Sequence, residues 1–267
     1  MPVDDNQDGG HHFRRSPTGP WVAAPRQPSD PPPARSLHGA GKKRRVWSVV
    51  IFVLIFSGFG VRAYRDLSRP EAWDYWKDEY ISPSMTSSLL ANVDLDGSGH
   101  GRPALFIGGT VGAAAASWFR DRLDQAHLEP GDTVVMSSPG GNLNQAMVMG
   151  EIIRSRGLAT AVGVVDASNH IRPSYCASAC VLVYAGGKTR FGVEGSALGV
   201  HRFVTSTPGS DPVAEAQRTT GTVLSYMTKM GVSASVVEVM SETREVRWLA
   251  PQDSVAMRLI TDPVGKP

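Results

Sequence analysis

The sequence predicts an α/β domain with a parallel β-sheet, preceded by a membrane helix and a disordered arm. Three observations support this. From residue 103 onward, short apolar runs bounded by glycine alternate with stretches of helical periodicity, a pattern typical of parallel sheets with right-handed crossovers. An uncharged apolar run occupies residues 46–61. The polar residues 1–45 contain eight of the 19 prolines.

Charge is distributed unevenly along the 267 residues, whose net charge is +2. Residues 1–45 contain eight Lys and Arg against four Asp and Glu, and the remainder contains 19 against 21. The composition excludes wholly disordered, collagen-like and disulfide-dense classes. A domain that is slightly acidic gives no reason to expect nucleic acid as a partner.

Residues 1–45 are predicted to form a disordered arm on the cytoplasmic side of a membrane. A segment so polar and proline-rich buries too little apolar surface to offset the entropy lost on ordering. The run Pro31-Pro32-Pro33 leaves open a proline-rich docking segment, although no repeated P-x-x-P pattern is present.

Residues 46–64 are predicted to be a transmembrane signal anchor. The basic cluster at residues 42–45 precedes the apolar run, and only three arginines follow it closely, at 62, 65 and 69. The positive-inside rule then predicts a single-pass protein of the cell inner membrane, with a cytoplasmic N-terminus and a periplasmic or extracytoplasmic C-terminal domain. The alternative is a signal peptide cleaved after Ala63.

Residues 65–102 are interpreted as a juxtamembrane segment, and residues 103–267 as the main domain. Residues 71–80, rich in aromatic and charged side chains, predict a short helix. The pattern from Asn92 to Gly97 is similar to the start of a calcium loop, but Pro103 stands where the closing Glu would be. A hairpin turn is the alternative interpretation, and no metal is expected.

The main domain is predicted to alternate strands and helices. Apolar runs bounded by glycine or turns predict strands, and helical spacing of apolar residues predicts helices. The predicted elements are a strand at 104–111, a helix at 113–126, a strand at 133–137, a helix at 142–156, a strand at 158–165, a strand near 197–200 and a helix within 210–231.

Three short motifs follow predicted strands. The loop Ser138-Pro139-Gly140-Gly141 leads into a helix, where free N–H groups could stabilise a developing negative charge. Ser178 lies among small residues before an apolar helix, and its hydroxyl needs a base to act as a nucleophile. His201 stands in a G-x-H motif after a predicted strand.

Together, in this order, Ser-Pro-Gly-Gly, Ala-Ser before AGG-x-x-R, and G-x-H resemble the Clp protease proteolytic subunit and its relatives. The resemblance covers about residues 104–262 and implies an α/β fold of the Clp/crotonase-type ββα superhelix. It implies that Ser178 is the nucleophile and His201 the general base of a serine peptidase, with peptide or protein substrates and no cofactor. By position, the N–H groups of Gly141 and Ala179 would form the oxyanion hole.

The chain departs from this family at the third member of the triad. Val246 stands where the family has an aspartate, and the adjacent Glu245 is the candidate replacement. Loss of the orienting carboxylate can cost orders of magnitude in rate. Signal peptide peptidases share the fold and use a lysine, so Lys188 and Lys229 stay open as alternative bases.

Cys176 and Cys180 flank Ser178 and are predicted to form a disulfide. Helical spacing would put their Cα atoms about 6 Å apart, within the range for a bridge, and an exported domain is oxidising. Zinc bound by both thiols with His170 or His201, and free buried thiols, are the alternatives.

The leading hypothesis is therefore a membrane-anchored extracytoplasmic serine peptidase. A catalytically inactive Clp-fold module that binds a peptide or a partner protein is the second, supported by Val246. A crotonase-like acyl-CoA enzyme is the third. The family resemblance also makes the helix within 210–231 the handle helix used in ring assembly, so a homo-oligomer is possible.

Overall fold

The computed structural model describes residues 41–81, 83–95, 101–166, 170–203 and 211–264. The chain divides into two units, residues 1–60 and 61–267. A disordered arm was predicted for residues 1–45, of which residues 1–40 lie outside the described residues. Its last five residues belong to a helix instead, because lysine and arginine are good helix formers that extend the apolar run.

The apolar run lies in helix α1, Gly41–Leu67. Its stretch from Arg45 to Leu67 is 23 residues long, with a mean hydropathy of 2.0, and is wholly unburied. At about 1.5 Å per residue this stretch exceeds the ~30 Å of a bilayer core. It is a candidate membrane span by length and composition, and it runs a few residues beyond the predicted 46–64.

The predicted helix at 71–80 is confirmed. Helix α2, Pro70–Trp76, continues into a π-helical turn, Lys77–Ile81. The carboxylate of Asp78 accepts hydrogen bonds from the N–H groups of Ser84 and Ala114, each at 2.8 Å. Because Ala114 caps the next helix, this negative charge lies at the positive end of that helix dipole.

The remaining elements form the main domain. In chain order they are β1 (Met85–Val93), β2 (Arg102–Gly109), α3 (Ala115–Ala126), β3 (Thr133–Ser137), α4 (Leu143–Ser155), β4 (Ala159–Val162), β5 (Val164–Val165), β6 (Ile171–Arg172), β7 (Tyr175–Ala177), α5 (Cys180–Ala185), β8 (Arg190–Val193), β9 (Ala197–Val200), α6 (Pro212–Lys229), α7 (Ser235–Glu242), β10 (Arg247–Trp248), α8 (Pro251–Ala256) and β11 (Asp262–Val264).

The main sheet has the order β1-β2-β3-β4-β8-β11. Its strands from β2 onward are parallel, as predicted. Strand β1 was not predicted; it pairs antiparallel with β2. Asn92, the first residue of the segment 92–97 interpreted as a turn, lies in β1, and residues 96–100 lie outside the described residues. The predicted strand 158–165 is divided, because Val164 and Val165 pair with β6 in a separate ribbon.

A second sheet, in the order β10-β9-β7, carries the candidate site. Strand β7 is parallel to β9, and β10 is antiparallel to β9. An isolated parallel bridge between Ser138 and Cys176 joins this sheet to the end of β3. All six residues of α5, which follows β7, are buried, and this burial supports a helix too short to be stable alone.

Candidate functional site

Ser178 occupies a tight turn between β7 and α5. Its φ is +57°, a left-handed conformation that is uncommon for residues other than glycine. The Ser178 N–H donates to the carbonyl oxygen of Gly199 at 2.8 Å, and its own carbonyl oxygen accepts from Val181 N–H at 3.0 Å. The surrounding structure therefore fixes a strained turn that leaves the serine half-buried.

The loop Ser138–Gly141 runs beside this turn. Ser138 N–H donates to the Tyr175 carbonyl oxygen at 3.2 Å, and Ala177 N–H donates to the Ser138 carbonyl oxygen at 3.0 Å. Gly140 has a φ of +96°, and a Cβ atom there would lie 2.8 Å from Ser178 Cβ. The position requires glycine, because any side chain would collide with the serine turn.

Two N–H groups near Ser178 are free to bind an oxygen atom. Gly140 N–H is used by Ser138 Oγ at 3.0 Å, and Asn142 N–H donates to the Val111 carbonyl oxygen at 2.7 Å. The N–H groups of Gly141 and Ala179 have no acceptor among the residues that the structure describes. These are the two donors that the family resemblance implies for an oxyanion hole.

His201 follows β9, the strand beside β7. Because Ala177 is paired with Gly199 in parallel, Ser178 and His201 both follow the carboxyl ends of neighbouring strands. His201 Nδ1 lies 2.7 Å from the carbonyl oxygen of Arg202. A carbonyl oxygen only accepts, so this contact requires the proton on Nδ1, and in the neutral imidazole Nε2 then carries the free lone pair.

Val246 and Glu245 lie beside β9. The Val246 side chain packs on Gly199, where a Cβ atom would lie 2.6 Å from Val246 Cγ1. Glu245 is exposed, and its backbone carbonyl oxygen accepts from Thr243 Oγ1 at 2.9 Å. The Glu245 carboxylate makes no hydrogen bond or ion pair within the described ranges. Its assignment as third triad member stays a prediction.

The two lysines considered as alternative bases lie elsewhere. Lys229 Nζ donates to the Glu151 carboxylate at 2.7 Å. Lys188 is exposed and follows the carboxyl end of α5, with its N–H on the Leu158 carbonyl oxygen at 2.8 Å. Ser178 precedes the amino end of that helix, so the structure brings neither lysine to the serine turn.

Cys176 and Cys180 are paired in a disulfide, with Cα atoms 5.4 Å apart. The bridge ties β7 to the first residue of α5 and encloses the Ser178 turn. It leaves no thiolate for the zinc site considered from the sequence. His170 instead faces Asp166, with Nδ1 3.8 Å from the carboxylate.

Within residues 41–264, apart from the four undescribed gaps, no three His, Cys, Asp or Glu side chains are grouped to hold an ion. Asp96, in the calcium-like pattern, lies outside the described residues.

Two features of the site were missed by sequence reasoning. One is the Arg202 carbonyl oxygen that holds the imidazole, which no side-chain motif encodes because every residue has a backbone carbonyl. The other is the contact of Gly140 with the Ser178 turn. The paired glycines were a signal for the loop, but they could not reveal which strand it would lie against.

No family model matches the chain, and no curated protein matches it. Solved structures that are similar to it include ClpP1 from Listeria monocytogenes and a point mutant of that protein. Each aligns with a TM-score of 0.45 and 14% identity over 60% of this chain, which covers 89% and 88% of the respective neighbour. The chain is a mixed α/β protein with ClpP-like structural neighbours, and a similarity this low carries no information on its chemistry.

Proposed function

We propose that the chain is a membrane-anchored, extracytoplasmic serine peptidase. Its Clp-type domain includes β1, from Met85, and therefore begins earlier than the predicted residue 103. Ser178 is the nucleophile and His201 the general base. The observation that carries the proposal is the Ser178 turn: a serine at φ +57°, packed against a glycine loop and hydrogen-bonded to Gly199, two residues before the histidine.

The proposed reaction is acyl transfer from a peptide to Ser178. The serine Oγ forms a bond with the peptide carbonyl carbon, while His201 Nε2 takes the hydroxyl proton. The protonated imidazole then gives that proton to the leaving amine as the carbon–nitrogen bond breaks. Water, deprotonated by the same imidazole, releases the acyl group and restores the serine.

The N–H groups of Gly141 and Ala179 serve as the oxyanion donors. Both lie in loops that meet at the Ser178 turn, and neither has another acceptor within the described part of the site. Preorganised donors of this kind stabilise the charge that develops on the carbonyl oxygen, and removing one typically costs about 10²–10³ in rate.

A Ser–His dyad fits the contacts better than a full triad. The Arg202 carbonyl oxygen already fixes the His201 tautomer in which Nε2 accepts a proton. A neutral carbonyl stabilises the imidazolium less than a carboxylate does, so a slow enzyme is expected. Glu245 becomes the third member only if its side chain replaces this carbonyl contact.

Helix α1 is the proposed single membrane span, with the N-terminus in the cytoplasm and the main domain in the periplasm. The basic cluster before the span supports this orientation, and the disulfide fits an oxidising compartment. A reporter fused after residue 267 should be active only outside the cytoplasm. Activity of that fusion in the cytoplasm would overturn the orientation. Self-association through α6 stays a prediction.

A fluorophosphonate probe tests the proposed chemistry. We expect the wild-type chain to be labelled and Ser178→Ala to be unlabelled. Ser155→Ala is the matched control, because Ser155 is an exposed serine whose hydroxyl donates to the Ile152 carbonyl oxygen at 2.9 Å; its labelling should equal that of the wild type. Absence of labelling in the wild-type chain would overturn the peptidase.

The second candidate is a catalytically inactive module that binds a peptide or partner protein. Val246, at the position where the family resemblance places a carboxylate, is the observation that favours it. This candidate expects peptide binding without fluorophosphonate labelling in either the wild-type or the Ser178→Ala chain.

A further inference from the structure

We propose that Tyr175, Val246 and Trp248 bind one apolar side chain of an extended peptide beside the Ser178 turn. These three side chains are called the apolar shelf below. The inference rests on the proposed function, because it names the kind of peptide that the candidate site accepts.

The shelf lies on the outer face of the β10-β9-β7 sheet. Trp248 and Ala177 are both paired with Gly199, one on each side of β9. Alternation along a strand puts Tyr175 on the same face as Ala177. The Tyr175 and Trp248 rings accordingly meet with centroids 6.0 Å apart and planes at 84°, an edge-to-face contact.

Gly199 is the floor of the shelf. A Cβ atom there would lie 2.6 Å from Val246 Cγ1 and 2.7 Å from the Trp248 ring, so only glycine lets both side chains pack down onto β9. His201 lies two residues further along the chain, and alternation puts its side chain on this face too. The opposite face of β9, through Leu198 and Val200, is buried in the core.

The shelf is apolar, contiguous and open to solvent. Tyr175 is 44% exposed, Trp248 50% and Val246 39%. Single exposed apolar residues are ordinary, whereas a contiguous patch indicates a binding surface.

The area of the shelf is large enough to bind one side chain of a peptide but too small for a stable interface with a second copy of the chain. Fully buried aromatic side chains bury about 150–250 Å² each, so two half-exposed rings offer roughly 200 Å². A stable interface between proteins needs about 800 Å² per partner. A leucine, methionine or phenylalanine side chain fits the available area and the edge-to-face ring chemistry.

The shelf is also within reach of the proposed cleavage point. Tyr175 lies three residues before Ser178 along the chain. A strand rises about 3.3 Å per residue, so the shelf lies roughly 10 Å from the serine. An extended peptide across the site would place a side chain on the shelf within about three residues of the scissile bond.

Peptide binding to the full-length Ser178→Ala chain in detergent tests the inference without requiring catalysis. The probes are two fluorescein-labelled octapeptides that differ only in one central residue, Phe or Asp, and binding is followed by fluorescence anisotropy. We expect the Phe peptide to bind at least about tenfold more tightly. Adding Trp248→Ala should remove this preference, and Trp248→Phe should retain most of it.

Trp73→Ala is the matched control, because Trp73 is 62% exposed and lies outside the shelf. It should leave the preference unchanged. Three results would overturn the inference: a preference for the Phe peptide that survives Trp248→Ala, equal binding of the two peptides to the Ser178→Ala chain, or no binding of either peptide to that chain. Failure of the peptidase has a different signature: the Phe preference would be present while the wild-type chain takes no fluorophosphonate.

Discussion

The polar groups at the amino and carboxyl ends of the parallel strands are held differently. Arg190, at the amino end of β8, is 3% exposed. Its guanidinium group donates to four backbone carbonyl oxygens, those of Gly187, Met230, Arg258 and Leu259. Near the carboxyl end of β3, the Ser178 turn is strained, and the N–H groups of Gly141 and Ala179 have no acceptor among the described residues.

The difference separates stability from function. Arg190 ties the loop after α6 and the turn before β11 to the sheet, and its donors are satisfied. Burial lowers the pKa of Arg190, and the neighbouring Arg154 guanidinium lowers it further, yet an arginine stays charged at neutral pH. Unsatisfied donors and backbone strain occur together at the Ser178 turn, as is typical of sites that bind a ligand.

The largest effect on stability is expected for Arg190, at the amino end of β8. Arg190→Met should lower the free energy of unfolding by about 3 kcal/mol or more, because several buried carbonyl oxygens lose a charged donor. Chemical denaturation followed by circular dichroism measures the change. Lys188→Ala, an exposed neighbour, should differ from the wild type by less than about 0.5 kcal/mol. Equal stability of the two variants would mean that the Arg190 contacts are not structural.

The disulfide beside the Ser178 turn should contribute less to the free energy of unfolding than Arg190 does. Replacing both Cys176 and Cys180 by alanine should lower the free energy of unfolding by roughly 2 kcal/mol, because the bridge closes a loop of only a few residues. The same variant should be labelled more slowly by fluorophosphonate, since the Ser178 turn loses its clamp.

Mass spectrometry tests the bridge directly. Unreduced peptides from the wild-type chain should show the loss of two hydrogens at the Cys176–Cys180 pair. Free thiols that can be alkylated in freshly isolated membrane protein would contradict the disulfide.

Alanine substitutions at two glycines distinguish the cost of a left-handed backbone from an effect on the Ser178 turn. Gly140 and Gly231 both have positive φ, but a Cβ atom at Gly231 would meet open space. Alanine at Gly231 should cost about 1–2 kcal/mol for the left-handed backbone. Alanine at Gly140 should cost more, because its Cβ atom would also lie 2.6 Å from the Ala177 carbonyl oxygen. Only Gly140→Ala should also slow labelling, by at least about tenfold, because its Cβ atom would displace Ser178. Similar labelling of both variants would remove Gly140 from the site.

The smallest effect is expected for Glu245→Gln. With the imidazole held by the Arg202 carbonyl oxygen, the labelling rate should change by less than about twofold. The rate is measured by following probe incorporation with time. A drop of tenfold or more, as loss of an orienting carboxylate can cause, would make Glu245 the third triad member and exclude the dyad.

Much of the parallel sheet could be predicted, because buried strands such as β3 have an apolar centre and are followed by glycine-rich turns. Strand β1 could not, since its burial alternates irregularly and its partner strand is not encoded locally. The break after β4 depends on pairing with β6, a contact between segments rather than a pattern within one.

The candidate site was predictable as a set of residues but not as a geometry. Small residues around Ser178 and the paired glycines are visible in the sequence. The positive φ of Ser178 and the carbonyl contact of His201 are set by tertiary hydrogen bonds, and no residue type indicates them. For the same reason the shelf on β10 was missed, because Trp248 and Tyr175 lie 73 positions apart and meet only across β9.

The central claim is that His201 activates Ser178, and the labelling rate of His201→Ala tests it most directly. We expect a fall of at least about 100-fold, the usual contribution of a general base, with the fold intact by circular dichroism. His170→Ala, which changes an exposed histidine paired with Asp166, should stay within about twofold of the wild type. Unchanged labelling in His201→Ala would contradict the mechanism and the peptidase assignment with it.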